Sequence, residues 1–109
     1  MAFLSRIEEI LLLAIWKLEG DAYGIAIRQQ VENDTGISWL SEAIYAPLSR
    51  LREKGYVDAA KAEKSTEKGG RPRIHYRLTP SGTQRLIHVQ EINRALWNGV
   101  PDLKKEYGR

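Results

Sequence analysis

Four cations crowd one short stretch: Lys68, Arg71, Arg73 and Arg77 fall within "EKGGRPRIHYRLTPSG", Glu67 to Gly82. Lys and Arg packed this closely suit the neutralisation of a polyanion such as a phosphate backbone. Gly69-Gly70 lets the main chain come close to a neighbour, and Pro72 stiffens the link between Arg71 and Arg73. The residues that follow alternate as a strand does, with Ile74, Tyr76 and Leu78 on one side and His75 and Arg77 on the other. A β-hairpin with a cationic tip accounts for both patterns. Such a tip is either an ordinary solvated turn or a hand on phosphates, and the surrounding elements must decide.

Other chemistries find little support. His75 and His88 stand 13 positions apart on different elements, too far apart to pair as local ligands. The Ser/His combinations lack a nucleophile turn. No glycine-rich loop follows a strand and opens a helix, so nucleotide phosphates have no cradle. Cysteine is absent, which removes disulfides, thiolate metal sites and thiol nucleophiles. No catalysis, cofactor or metal is expected. The longest apolar run, Ile10 to Trp16, is 7 residues, against roughly 20 for a membrane span. Glu8 and Glu9 precede that run, unlike a signal peptide. A soluble, cytoplasmic protein that avoids membranes is the expectation.

The charge is unevenly placed. Residues 41–82 carry 9 Lys/Arg against 5 Asp/Glu, a net +4, and the rest carries 8 against 9, a net −1, giving +3 over 109 residues. The positive excess therefore belongs to the middle of the chain. A facing polyanion explains that bias, and a solvated charged face is the alternative.

The elements that would position these cations follow from periodicity and punctuation. Leu4, Ile7, Leu11, Ala14 and Leu18 repeat at helical spacing, predicting a helix over 3–19 that Ile10, Ile15 and Trp16 make unusually broad. So wide an apolar surface suggests burial against a partner subunit as well as against neighbouring helices. Gly20 ends this helix, and Asp21 is read as the cap of a second over 22–34, with Gly24 tolerated for close packing. Gly36 stops the second helix. Ser41 then reads as the N-cap of a third over 42–54, closed by Gly55 and bent by Pro47. Tyr56–Lys64 and Arg73–Leu78 read as the paired strands, and Thr79-Pro80 as the start of a last helix reaching Asn98. The order is helix, helix, helix, strand, strand, helix, which predicts a mainly α winged helix-turn-helix. Residues 1–79 would form the winged domain, 80–98 a C-terminal helix and 99–109 a frayed tail.

On a helical wheel Ile44, Leu48 and Leu51 form the core side of the third helix. Ser41, Tyr45, Ser49 and Arg52 line one flank, and Glu42, Ala46, Arg50 and Glu53 lie opposite the core. Hydroxyls that bond base edges or phosphates, a Tyr that packs on a thymine methyl, and arginines that take guanine or phosphate suit a major groove. Glu42 either accepts from a cytosine amine or complements the helix N-terminus, and the second role is favoured. The candidate DNA-binding set is Ser41, Glu42, Tyr45, Ser49, Arg50, Arg52, Lys68, Arg71 and Arg73, on a recognition helix over 41–54 and a basic wing over 64–74. The rival function is a winged helix used for protein–protein contact.

Three linked stretches resemble the PadR-like family of transcriptional regulators: "GDAYGIAIRQQVENDTG", "AIYAPLSRLREKGYV" and "GGRPRIHYRLTPSG". The matching features are Tyr23-Gly24 opening the second helix, Tyr45, Leu48 and Leu51 in the recognition helix, and Arg-x-Tyr-x-Leu-Thr-x-x-Gly closing the wing. Ala46 and then Pro47 follow Tyr45, where the family often has Pro directly after the Tyr. The resemblance implies a homodimeric repressor of double-stranded DNA with a palindromic operator and a C-terminal dimerisation helix. It makes Leu4, Ile7, Leu11, Leu86, Val89, Ile92, Leu96 and Trp97 the expected dimer interface. It also raises a small aromatic effector at that interface, where Trp16 and Trp97 either line a pocket or serve as plain packing residues.

Overall fold

The computed structural model describes residues 3–61 and 73–108. Three helices lead into a hairpin, and two more follow: α1 (Arg6–Leu18), α2 (Gly24–Thr35), α3 (Ser41–Glu53), β1 (Val57–Lys61), β2 (Ile74–Leu78), α4 (Pro80–Trp97) and α5 (Leu103–Tyr107). This is the predicted winged helix-turn-helix order. Residues 62–72, with Lys68, Arg71 and most of the predicted basic wing, lie outside the described residues.

α1 begins at Arg6 because Ser5 and Glu8 cap it reciprocally. The Glu8 amide donates to the Ser5 hydroxyl at 3.3 Å, and the Ser5 amide donates to the Glu8 carboxylate at 2.8 Å. The helix occupies the middle of the molecule and touches α2, α3, α4 and β2. Leu11, Leu12, Ala14 and Ile15 of α1 meet Ile27 and Val31 of α2, Ile44, Leu48 and Leu51 of α3, and Val57 of β1 in one core. Leu11, expected at a subunit interface, is fully buried inside the single chain and faces its own neighbours. An apolar stripe marks burial without saying whose surface does the burying.

α2 starts at Gly24, after Tyr23, and Asp21 makes no cap. The cause is long-range. The Tyr76 amide donates to the Ala22 carbonyl at 2.8 Å, and Tyr23 pairs with His75 as an isolated antiparallel bridge. Tyr23 is thereby held extended against the wing. Gly36 closes α2 in the left-handed conformation at φ 71°, as the sequence predicts.

Leu40, not Ser41, is the N-cap of α3, and Ser41 is its first helical residue. At the other end the Gly55 amide reaches the Arg52 carbonyl and the Tyr56 amide reaches that of Leu51, each at 3.0 Å. With Gly55 at φ 80°, these bonds make a Schellman closure. The chain is thus reversed directly into β1. The strands pair antiparallel from Val57↔Leu78 to Lys61↔Ile74.

The join from wing to α4 is tightly built. Thr79 caps α4 by accepting from the Gly82 amide at 3.0 Å, and its hydroxyl donates to the Gly55 carbonyl at 2.6 Å. A Cβ at Gly82 would overlap the carbonyl oxygen of Tyr56. Past Trp97 the anticipated frayed tail contains α5, whose first amides are capped by the Asp102 carboxylate.

Candidate nucleic-acid interface

α3 divides cleanly between inside and outside. Ile44, Pro47, Leu48 and Leu51 are buried, whereas Ser41, Glu42, Tyr45, Ala46, Ser49, Arg50, Arg52 and Glu53 are exposed. All six DNA-contact candidates on this helix therefore lie on its open surface. Pro47 sits well inside the helix and forgoes the bond its amide would make to the Ala43 carbonyl. Its ring is packed into the core in exchange.

Arg73 stands at the root of the wing, next to the same surface. An open groove of about 450 Å³ is lined by Tyr23, Gly24, Ile25, Tyr45, Ser49, Arg73, Ile74 and Tyr76. Recognition helix, start of α2 and wing root thus share one concave face. The Arg73 guanidinium carbon lies 4.3 Å from the centroid of the Tyr23 ring, within cation–π range. His75 stacks on the same tyrosine, with 5.7 Å between centroids and 25° between planes. His75 is half-buried and held against Tyr23.

Gly24 leaves room for Tyr45. A Cβ at position 24 would stand 2.6 Å from the Tyr45 hydroxyl oxygen and 2.8 Å from Cε1. Close packing is therefore the reason for this glycine. Ser41 is also anchored: the Arg28 Nη1 donates to its hydroxyl at 3.1 Å, while the Arg28 Nε pairs with Glu32 at 3.4 Å. Arg28 and Tyr23 belong to this surface and are absent from the sequence-derived set. Only the Tyr23-Gly24 dipeptide could have drawn attention to one of them. Burial pushes the Tyr76 phenol above its usual range, with Tyr45 adding and Arg52 opposing. Tyr76 accordingly stays neutral at the floor of the groove.

α4 presents a second surface. Leu86 packs against the core, Val89 and Ile92 are half-buried, and Leu96 and Trp97 are 68% and 59% exposed. Leu4 and Ile7 are half-buried at the edge of the core. A narrow groove is lined by Phe3, Leu4, His88, Val89, Ile92 and Leu96, with Phe3 stacked on His88. Trp16 lines a different groove, with Ile15, Tyr76, Leu78 and Thr83, and that groove does not include Trp97. Among the described residues there is no cluster of three metal-ligating side chains, and no helix is long and apolar enough to cross a membrane.

Such a fold and such a surface define a winged helix-turn-helix protein. Residues 12–88 match the sequence model of the Transcriptional regulator PadR-like family, and the chain belongs to that family. It is therefore a transcriptional regulator and not an enzyme. Solved structures agree on the fold. A PadR-like transcription factor from Bacteroides fragilis superposes with a TM-score of 0.72 at 24% identity, covering 86% of this chain and 85% of that one. A PadR family transcription regulator from Clostridium difficile gives 0.67 at 21% identity, covering 94% and 98%. The protein smu.1704 from Streptococcus mutans gives 0.66 at 25% identity, covering 99% and 95%. No curated protein matches the chain.

Proposed function

We propose that this regulator binds double-stranded DNA as a homodimer and represses transcription from a palindromic operator. One observation carries the reading. Tyr45 and Ser49 of α3, which take no part in the core, share a concave face with Arg73 at the wing root, and Arg50 and Arg52 are exposed on the same helix. That face joins a serine hydroxyl and a tyrosine for base edges to the Arg73 guanidinium for a phosphate, with Arg50 and Arg52 for phosphates further along the helix. In this reading α3 enters the major groove, and Arg73 with the wing takes the adjacent backbone.

The second copy follows from α4. This helix has 18 residues, and Gly82 is its one buried residue. Ile87, Leu96 and Trp97 leave large apolar groups uncovered, and a partner's α4 and α1 would cover them. Two-fold symmetry then presents two recognition helices to two half-sites. Repression is the simplest output, since a dimer lying across a promoter blocks the polymerase. A small aromatic effector would have to use a surface completed by the second subunit.

The test is equilibrium binding to promoter fragments over a range of salt. Each neutralised phosphate should contribute a slope of about 0.9 in log affinity against log salt. Replacing Arg50 and Arg52 with Ala should weaken binding and lower the slope. Binding that does not respond to salt would refute phosphate contact and favour a protein–protein role.

A further inference from the structure

The dipeptide Tyr23-Gly24 touches both halves of the proposed interface. Its first residue meets the wing twice, through a backbone bridge to His75 and through its ring against Arg73. Its second residue meets the recognition helix, where the missing Cβ is the space taken by the Tyr45 ring. The Ala22 carbonyl, one residue earlier, accepts from the Tyr76 amide at 2.8 Å. Neither Tyr23 nor Gly24 contributes to the buried apolar core.

We infer that Tyr23-Gly24 is a positioning device that sets the wing-root arginine and the recognition-helix tyrosine at a fixed separation on the DNA. This rests on the DNA-binding reading above. An arginine has several rotatable bonds, and a free one would lose much rotamer entropy on meeting a phosphate. Stacking on Tyr23 restricts the Arg73 guanidinium before DNA arrives, so less is lost on binding. Gly24 acts in the same way on Tyr45. The pocket left by the absent methyl group lets the phenol lie against α2, which fixes the edge it offers to a base. Because both contacts originate from adjacent residues of one backbone, α3 and the wing root cannot shift independently.

The two arms are separable by mutation. Tyr23→Leu keeps apolar bulk but removes the aromatic face, and Tyr23→Phe restores that face. Gly24→Ala sits at a helical position where alanine is intrinsically favoured. The atoms it would strike belong to the far end of the Tyr45 side chain, so the ring moves and the fold stays.

The experiment measures DNA affinity against salt for wild type, Arg73→Ala, Tyr23→Leu, Tyr23→Phe, Gly24→Ala and the Arg73/Tyr23 double variant. Proton NMR of the free protein accompanies it, to read ring-current shifts on Arg73. Tyr23→Leu is expected to abolish those shifts and to weaken binding several-fold at every salt while keeping the wild-type slope, because the Arg73 charge remains. Arg73→Ala instead lowers the slope by about one per protomer. The double variant should then equal Arg73→Ala alone, and Tyr23→Phe should match wild type. Gly24→Ala should leave the slope unchanged while altering the ranking of operator base variants several-fold. The inference is overturned if ring-current shifts vanish in Tyr23→Leu but its affinity stays at the wild-type value at every salt, or if Gly24→Ala ranks all base variants as wild type does. Wild type that binds no DNA at any salt would remove the underlying reading and this inference together.

Discussion

Glu8 is the residue on which local chemistry and stability meet most directly. Its side chain is only 6% exposed, and its carboxylate accepts from Lys54 Nζ at 2.6 Å. Burial pushes its pKa up, but the bonds from Lys54 and from the Ser5 amide and hydroxyl outweigh that and hold it below the ordinary 4.5. The ionised form is thus favoured by folding. Its contribution is complete above about pH 4.5 and is lost as pH falls through the lower folded value. Glu8→Gln should destabilise the protein by about 1–2 kcal/mol at pH 7, since half of Lys54 remains in water. The difference from wild type should shrink on acidification. Urea unfolding at pH 7 and near pH 3 measures both values.

At the scale of elements, the α3–wing–α4 sequence works as one clasp. Gly55 reverses the chain, Thr79 binds back to the Gly55 carbonyl, and Gly82 lies against the Tyr56 main chain. Thr79→Ala removes a cap and should cost about 1 kcal/mol in thermal or urea unfolding. Gly82→Ala should cost several times more, because a rigid carbonyl cannot give way as a flexible side chain can. The helices and strands that build this clasp were legible in the sequence because each carries its own local signal. Ile44, Leu48 and Leu51 are periodic, Thr79-Pro80 is a start signal, and Gly36 and Gly55 are stops. The start of α2 was not legible. Asp21 has the chemistry of a cap, but a hydrogen bond from Tyr76, more than 50 positions later, ties Ala22 to the wing instead. Stacking of Tyr23 on Arg73 and His75 was not legible for the same reason. α5 spans only 5 residues, too few to show a period.

The whole molecule is more extended than its length requires. Its radius of gyration is 16.2 Å, against about 13 Å for a compact chain of this size. On α4, Ile87, Leu96 and Trp97 are left exposed by the described residues. Self-association is the proposed remedy. Analytical ultracentrifugation at micromolar concentration should return a dimer. Replacing Leu96 and Trp97 together with Asp should weaken that dimer by at least about a hundredfold, since each large apolar side chain is worth about 1.5–3 kcal/mol on burial. Leu11→Ala, by contrast, should act as a core mutation, lowering monomer stability by about 2–5 kcal/mol.

Hydroxyl-radical footprinting on a promoter fragment tests the central claim most directly, because it reads where the protein touches each strand. Two symmetric protected segments are expected, with half-site centres about 10 bp apart or a multiple of that distance. Backbone protection beside each half-site should recede in Arg73→Ala. A single protected segment without symmetry would contradict the dimer, and an unprotected duplex at low salt would contradict DNA binding itself.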